Sequence, residues 1–289
     1  MDSKTFLLPG ERAVEVGGKV RVIDNGRGLC WGTDAYLLAA FIRRRRRAQD
    51  VGTDIAGQVH TPRILRACEL GSGCGVVSFL VAAHGKADTV TALEINGDAC
   101  DRTRRGIPLN GLDGRVQVFR KDIREAKPED AACGGRFDFV FANPPYIAHP
   151  GLSGTDAVAE DARHENHGGI DDFCAAAARL LRSRGSFYVV FRPERVTDLL
   201  CALRAHRLEP KRMTFVYPDT ASKPSLCLCE AALGAAAGLQ MSPPAVFYAD
   251  TQKTSPRTVT DTMAQIYETC SFDCLFAQNK KAGAHKGHE

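Results

Sequence analysis

The amino-acid sequence predicts an α/β protein built on a doubly wound, mostly parallel sheet that ends in an antiparallel hairpin. Short apolar runs alternate with helix-length stretches from residue 64 to residue 141, which is the rhythm of consecutive βαβ units. The turn Glu69-Leu70-Gly71-Ser72-Gly73-Cys74-Gly75 follows one of those runs and opens a helix. Its glycines permit a tight turn and close approach of a ligand to the backbone. A second special turn, Asn143-Pro144-Pro145-Tyr146, comes directly after the apolar run Phe137 to Phe141, where a buried strand ends and its loop begins.

Taken in order, Ala13 to Ile23 alternates apolar and polar residues around Gly17-Gly18 and reads as a β-hairpin forming an N-terminal flap. Ala35 to Ile42 is long enough for a helix, and Thr33 and Asp34 stand before it as candidate N-caps. A helix N-terminus with a hydroxyl beside it can equally bind a ligand carboxylate or phosphate. The helix runs into Arg43, Arg44, Arg45, Arg46 and Arg47, and residues 48–62 lack periodicity, so an exposed loop is expected. Strands then follow at Ile64 to Leu70, Thr89 to Ile95, Val116 to Phe119 and Phe137 to Phe141, with helices from Val76 to His84 and from Asp98. Ile147 to Gly169 is polar and Gly-rich and reads as a substrate loop before a helix from Ile170 to Arg182. Gly185 opens a strand over Ser186 to Phe191, and Val196 to His206 is the next helix. Arg212 to Tyr217 and Leu226 to Ala232 are separated by Pro218 to Pro224 and form the closing hairpin. The expected division is a hairpin flap over 1–28, the main domain over 29–249, and an extension over 250–289 whose Gly-, Lys- and His-rich end suits disorder.

The 289 residues, 44% apolar and 25% charged, have ordinary globular composition and support a sizeable core. No apolar run approaches the roughly 18 residues of a membrane helix, and Met1 to Gly10 lacks the apolar centre of a signal peptide. A cytoplasmic protein without membrane partners is therefore expected. Eleven cysteines, odd in number and without Cys-x-x-Cys pairs, suit reduced core residues rather than a disulfide framework. The net charge of +4 is mild, but the Arg43 to Arg47 run could attract a polyanion, against the plainer reading of a solvated face. Cys270, Cys274, His285 and His288 only loosely resemble zinc-site spacing, so no metal is expected.

The chemistry concentrates at strand ends. Two consecutive prolines remove two N–H donors and fix two φ angles, which leaves a stiff turn whose carbonyls are available to a cleft. Asn143 Oδ1 and the Pro144 carbonyl could accept both protons of a flat amine while Tyr146 covers its face. Glu94, with Ile95 beside it, ends the second strand of the alternation, where a carboxylate can accept hydrogen bonds from both hydroxyls of a ribose. A dinucleotide fingerprint would want glycine at the position of Val76.

An acidic residue followed by Gly-x-Gly-x-Gly, as in Glu69, Gly71, Gly73 and Gly75, instead resembles the first motif of class I S-adenosylmethionine-dependent methyltransferases. Asn143 to Tyr146 resembles their Asn/Asp-Pro-Pro-Tyr/Phe motif, found where the acceptor is a planar nitrogen. The resemblance implies a Rossmann-like fold and S-adenosyl-L-methionine as cofactor. It places Asp122 on the cofactor's exocyclic amine, Ile123 against its adenine ring, and Thr33 and Asp34 near its methionine end. Gly32-Thr33-Asp34, His164-Glu165, Phe191-Arg192-Pro193-Glu194-Arg195 and Pro243-Pro244 resemble bacterial enzymes that methylate adenine N6 beside the anticodon of a valine tRNA. Departures are Glu69 where aspartate is common, Ala35 where glycine often follows, the loop 48–62 and the long extension. The implied function is methyl transfer to adenine N6 in tRNA, with Asn143, Pro144 and Tyr146 catalytic, tRNA as partner and no obligate protein partner. Alternatives are a protein glutamine, a base of rRNA or DNA, or an inactive cofactor- and RNA-binding protein. His164 and Glu165 suit loop ordering, and Arg192 to Arg195 a strand end before a helix rather than RNA contact.

Overall fold

The computed structural model describes residues 6–26, 31–44, 63–145, 169–251 and 256–277. A two-stranded antiparallel hairpin, β1 (Arg12–Val16) and β2 (Val20–Asp24), precedes helix α1 (Thr33–Phe41). The alternating core follows as β3 (Arg66–Leu70), α2 (Val76–Ala83), β4 (Thr89–Glu94), α3 (Gly97–Leu109), β5 (Val116–Arg120) and β6 (Phe137–Ala142). Helix α4 (Ile170–Leu180), β7 (Leu181–Phe191), α5 (Val196–Ala205), β8 (Leu208–Tyr217) and β9 (Leu226–Leu233) complete the expected order. Two short strands, β10 (Gln240–Met241) and β11 (Ala245–Val246), add to β8, and helix α6 (Asp261–Thr269) comes last.

The main sheet runs β10-β8-β9-β7-β6-β3-β4-β5. Strands β7, β6, β3, β4 and β5 are mutually parallel, whereas β9 is antiparallel to both β7 and β8. The chain lays β4 and β5 on one side of β3 and β6 and β7 on the other, so the strand order reverses between β3 and β6. A crevice opens at such a switch point beyond the carboxyl ends of the strands. Both special turns leave from there: the glycine turn from β3 and Asn143-Pro144-Pro145 from β6.

Each face of the sheet has its own apolar core. On one, Leu37 and Phe41 of α1, Phe79 and Leu80 of α2 and Val16, Val20 and Val22 of the hairpin are buried together. On the other, Phe173 and Leu180 of α4 and Leu199 and Leu203 of α5 cover Cys68, Val140 and Phe187. Cys68, Cys74, Cys100, Cys133, Cys174, Cys227, Cys229 and Cys270 are buried free thiols, as expected of small core residues.

Four details differ from the sequence reading. The hairpin is docked rather than a free flap: Arg21 exchanges two 2.7 Å hydrogen bonds with the Asn110 side chain, and Arg105 bridges Glu11 at 2.6 Å. Gly32, not Thr33 or Asp34, is the N-cap of α1, in extended backbone without a capping side chain. Helix α4 stops at Leu180 and β7 already pairs at Leu181, so Gly185 lies inside the strand, where a Cβ would sit 2.9 Å from the Arg182 carbonyl. The extension past residue 250 is ordered where described: Met263, Ile266, Cys270 and Phe272 are at most 1% exposed and belong to the core under α1.

Candidate active site at the switch point

Backbone geometry shapes the glycine turn. Gly71, Gly73 and Gly75 all have positive φ, and Gly75 is the left-handed N-cap of α2. A Cβ on Gly75 would sit 2.6 Å from Thr103 of α3, so both φ and space require glycine there. Over Gly73, by contrast, nothing among the described residues lies within 4 Å of where a Cβ would be, which leaves room for a ligand against the turn. Gly71 N and Ser72 N donate to the Leu93 carbonyl at 2.9 and 3.1 Å and hinge the turn onto β4.

Glu94 sits at that hinge. Its Oε2 accepts from Gly73 N at 2.7 Å and its Oε1 from Asn96 N at 2.9 Å, so one carboxylate ties the loops after β3 and β4. Asn96 in turn caps α3, accepting from Ala99 N at 3.0 Å. Glu69 is different in kind. It is 1% exposed and its Oε2 accepts from the amide (3.0 Å) and hydroxyl of Ser78, in the first turn of α2. Burial pushes its carboxyl up to about 8, against the lowering effect of the Ser78 bonds.

Across the crevice, Asn143 Nδ2 donates to Asp34 Oδ2 at 3.1 Å, although the two residues are 109 positions apart. Asp34 Oδ1 accepts from Ala35 N at 2.9 Å, at the N-terminus of α1. Pro144 is buried and Pro145 half-buried behind them. Thr33 is exposed on the first residue of α1.

The other expected positions divide. Ile95 is half-buried just past β4, and Ile123 is 5% exposed in the core beside α4. Asp122 is held by Arg124, accepting from its amide at 2.9 Å, its Nε at 3.0 Å and its Nη2 at 2.5 Å. An adenine amine at Asp122 would therefore have to share or displace that guanidinium. Arg44 lies away from the crevice. Arg43 pairs with buried Glu230 at 3.1 Å, and Arg44 reaches Gly85 O at 2.6 Å and Asp88 at 2.8 Å, where α2 leads into β4 at the amino ends of the parallel strands. Tyr146, His164 and Glu165, with Arg45, Arg46, Arg47, His285 and His288, lie outside the described residues; among the described residues no cluster suits a metal ion.

Three residues at the crevice escaped the sequence reading. Ser72 Oγ is buried without a hydrogen-bond partner in the glycine turn. Thr103 Oγ1 donates to Gly73 O at 3.1 Å, and the Phe173 ring stands 3.5 Å from where a Gly71 Cβ would be. Ser72 could have been suspected from its place between glycines. Thr103 and Phe173 come from remote helices and carry no local signal.

A family model, the methyltransferase small domain, matches residues 46–202, just over half of the chain. The chain belongs to that family. Among curated relatives of this methyltransferase, a tRNA1(Val) (adenine(37)-N6)-methyltransferase from Parabacteroides distasonis is 27% identical over 186 residues, 63% of this chain and 76% of that protein. The protein of the same name from Phocaeicola vulgatus is 27% identical over 197 residues, 68% of this chain and 74% of its own. The methyltransferase also shares its fold with solved structures. A predicted O-methyltransferase from Agrobacterium tumefaciens aligns at TM-score 0.60 and 22% identity, covering 83% of this chain and 97% of that one. TYW2 of M. jannaschii, solved with AdoMet, aligns at 0.50 and 14%, covering 78% and 87%.

The methyltransferase's cofactor is S-adenosyl-L-methionine, and the residues at the crevice suit it. There is room over Gly73, the Ser72 hydroxyl is buried with no partner among the described residues, and the Glu94 carboxylate, though tied to two amides, keeps further lone pairs to offer.

Proposed function

We propose that this methyltransferase transfers a methyl group from S-adenosyl-L-methionine to the N6 amine of an adenine in tRNA, beside the anticodon. The observation that carries the reading is that the Asn143-Pro144 turn and the glycine turn leave the paired ends of β6 and β3, at Ala142 and Leu70, on one switch point. The names of the curated relatives support the acceptor. When bound, the cofactor supplies an electrophilic methyl group on a positively charged sulfur.

The chain's own work is to prepare the acceptor. An exocyclic adenine nitrogen is a weak nucleophile because its lone pair is delocalised into the ring. Asn143 Oδ1 and the Pro144 carbonyl accept hydrogen bonds from its two N–H groups, which favours a tetrahedral nitrogen and frees the lone pair toward the methyl group; as the nitrogen gains the methyl group from sulfur it gives up one proton to solvent. Buried Pro144 keeps that carbonyl on a stiff turn, and Tyr146 stacks on the extruded base. Glu94, with Ile95 beside it, holds the cofactor's ribose; Ser72, Gly71, Gly73 and Gly75 line the backbone cradle, and Asp122 and Ile123 face its adenine. Glu69 acts from beneath by fixing the first turn of α2.

Mass spectrometry of nucleosides tests the reading. Purified tRNA incubated with the protein and S-adenosyl-L-methionine should gain N6-methyladenosine, and tRNA from a deletion strain should lack it until the gene is restored. Methyl incorporation into protein, rRNA or DNA without any in tRNA would reassign the acceptor.

A further inference from the structure

We infer that Asp34 is a positioning residue that sets the direction of the Asn143 amide, and so decides that an acceptor rather than a donor faces the target nitrogen. The inference rests on the acceptor chemistry proposed above. An asparagine side chain has a carbonyl end and an NH2 end of nearly equal shape, and only the carbonyl end can accept a proton from an amine.

Asp34 makes the choice. An ionised carboxylate only accepts, so at 3.1 Å it requires the NH2 end of Asn143, and the reversed amide would bring two acceptors together. The carbonyl end is thereby turned away from Asp34. The carboxylate is itself fixed, because Oδ1 accepts from Ala35 N at 2.9 Å in the first turn of α1, where unpaired amides and the helix dipole favour negative charge. Gly32 makes room for this arrangement, since a Cβ there would lie 2.6 Å from Asp34 Oδ1. A hydrogen bond from Nδ2 to a carboxylate also draws electron density toward Asn143 Oδ1 and strengthens it as an acceptor. The glycine before Thr33-Asp34, the helix start and the Asn-Pro-Pro turn thus form one device, assembled across 109 residues of sequence.

A double-mutant cycle tests it. Asp34→Asn keeps the shape but offers one oxygen to two donors, so Asn143 is no longer compelled to face one way. Single-turnover methylation of tRNA at saturating cofactor should fall about tenfold or more in Asp34→Asn, on the order of a hundredfold in Asn143→Ala, and no further in the double variant. Because the cofactor is saturating, the rate reads the chemical step whatever Asp34 contributes to holding S-adenosyl-L-methionine. Independent multiplication of the two losses would overturn the inference. A second readout needs no activity: the Asn143 side-chain NH2 signal, identified by its absence in Asn143→Ala, should be protected from hydrogen exchange in the native protein and lose protection in Asp34→Asn. Equal protection in both overturns the inference, whereas a native protein that methylates no tRNA overturns only the proposed acceptor. Asp34→Ser, which still serves the helix N-terminus but is too short to reach Asn143, gives the same contrast if Asp34→Asn does not fold.

Discussion

At the scale of single residues, the two glutamates of the crevice have opposite roles although both end strands. Glu94 presents its carboxylate at the hinge of two loops, and Glu94→Ala should weaken S-adenosyl-L-methionine by about 1.5–3 kcal/mol for each ribose hydrogen bond lost. Calorimetry on a variant that still melts cooperatively checks this, and unchanged affinity removes Glu94 from the site. Glu69 is buried, with its carboxyl raised to about 8 from an ordinary value of 4.5. Between those two values the folded chain holds a proton that the unfolded chain has released, so this group makes stability fall as pH rises through the window. Its contribution is up to about 1.4 kcal/mol per pH unit. Glu69→Gln cannot ionise, so its melting temperature should match the native protein near pH 5 and exceed it progressively toward pH 8. Parallel melting curves across that range would mean that Glu69 is not buried as a neutral acid.

At the scale of elements, α1 depends on chain that lies far from it in sequence. Lys86 Nζ lies 2.5 Å from Ala39 O, 3.1 Å from Ala40 O, 2.6 Å from Ile42 O and 2.7 Å from Cys270 O, so its three N–H groups, one of them shared, close the carboxyl ends of α1 and α6. Tyr36 stacks flat on Tyr267 at 4.5 Å and donates its hydroxyl to the Tyr267 carbonyl at 2.7 Å. Phe272 and Phe276 pack on Phe41, and the Arg212 guanidinium lies over both the Phe41 and Phe276 rings, 4.5 and 4.2 Å from their centroids. The segment 256–277 therefore clamps the helix whose first turn carries Asp34. Removing everything after Asp250 strips Met263, Ile266, Phe272 and Leu275 from the core, each worth about 1.5–3 kcal/mol. The total is comparable with a whole domain's stability of about 5–15 kcal/mol. The truncated chain should be unfolded or molten by near-ultraviolet circular dichroism and should lose its cooperative melt; a native-like melt would make α6 a passive appendage.

At the scale of the molecule, the described charges divide between the two ends of the parallel strands. Of the arginine run, Arg43 pairs with buried Glu230 of β9, and Arg44 pairs with Asp88 at the amino ends of the parallel strands. The crevice opens at the opposite ends. Its rim carries Arg192 just past β7 and Lys223 in the loop between β8 and β9, both exposed, with Arg192 Nη1 reaching Ser225 O at 3.5 Å. If RNA enters over this rim, replacing Arg192 and Lys223 by alanine should weaken RNA binding and flatten its log–log salt dependence by about 0.7 per lost phosphate contact on single strands. Arg44→Ala should leave that slope unchanged. Binding titrations at four or five salt concentrations measure both, and a slope altered only by Arg44→Ala would return the RNA path to the arginine run.

Strands β10 and β11 and helix α6 were not legible in the sequence, whereas the order of strands and helices from β1 to β9, the glycine turn, the Asn-Pro-Pro turn and the closing hairpin were. Each is written in neighbouring residues: apolar runs of strand length, glycines where φ must be positive, prolines that cannot continue a ladder. The sequence also determined that Glu94 and Asn143 end their strands, which the parallel sheet turns into a common location. Only the tertiary structure decided what those ends touch. That Asp34 meets Asn143, that Glu69 goes under a helix, that Lys86 joins two helix ends and that residues 256–277 belong to the core all depend on contacts between segments tens to hundreds of positions apart. Local periodicity carries no record of such contacts. Their existence depends on which faces the sheet brings together and which polar atoms burial then forces to find partners.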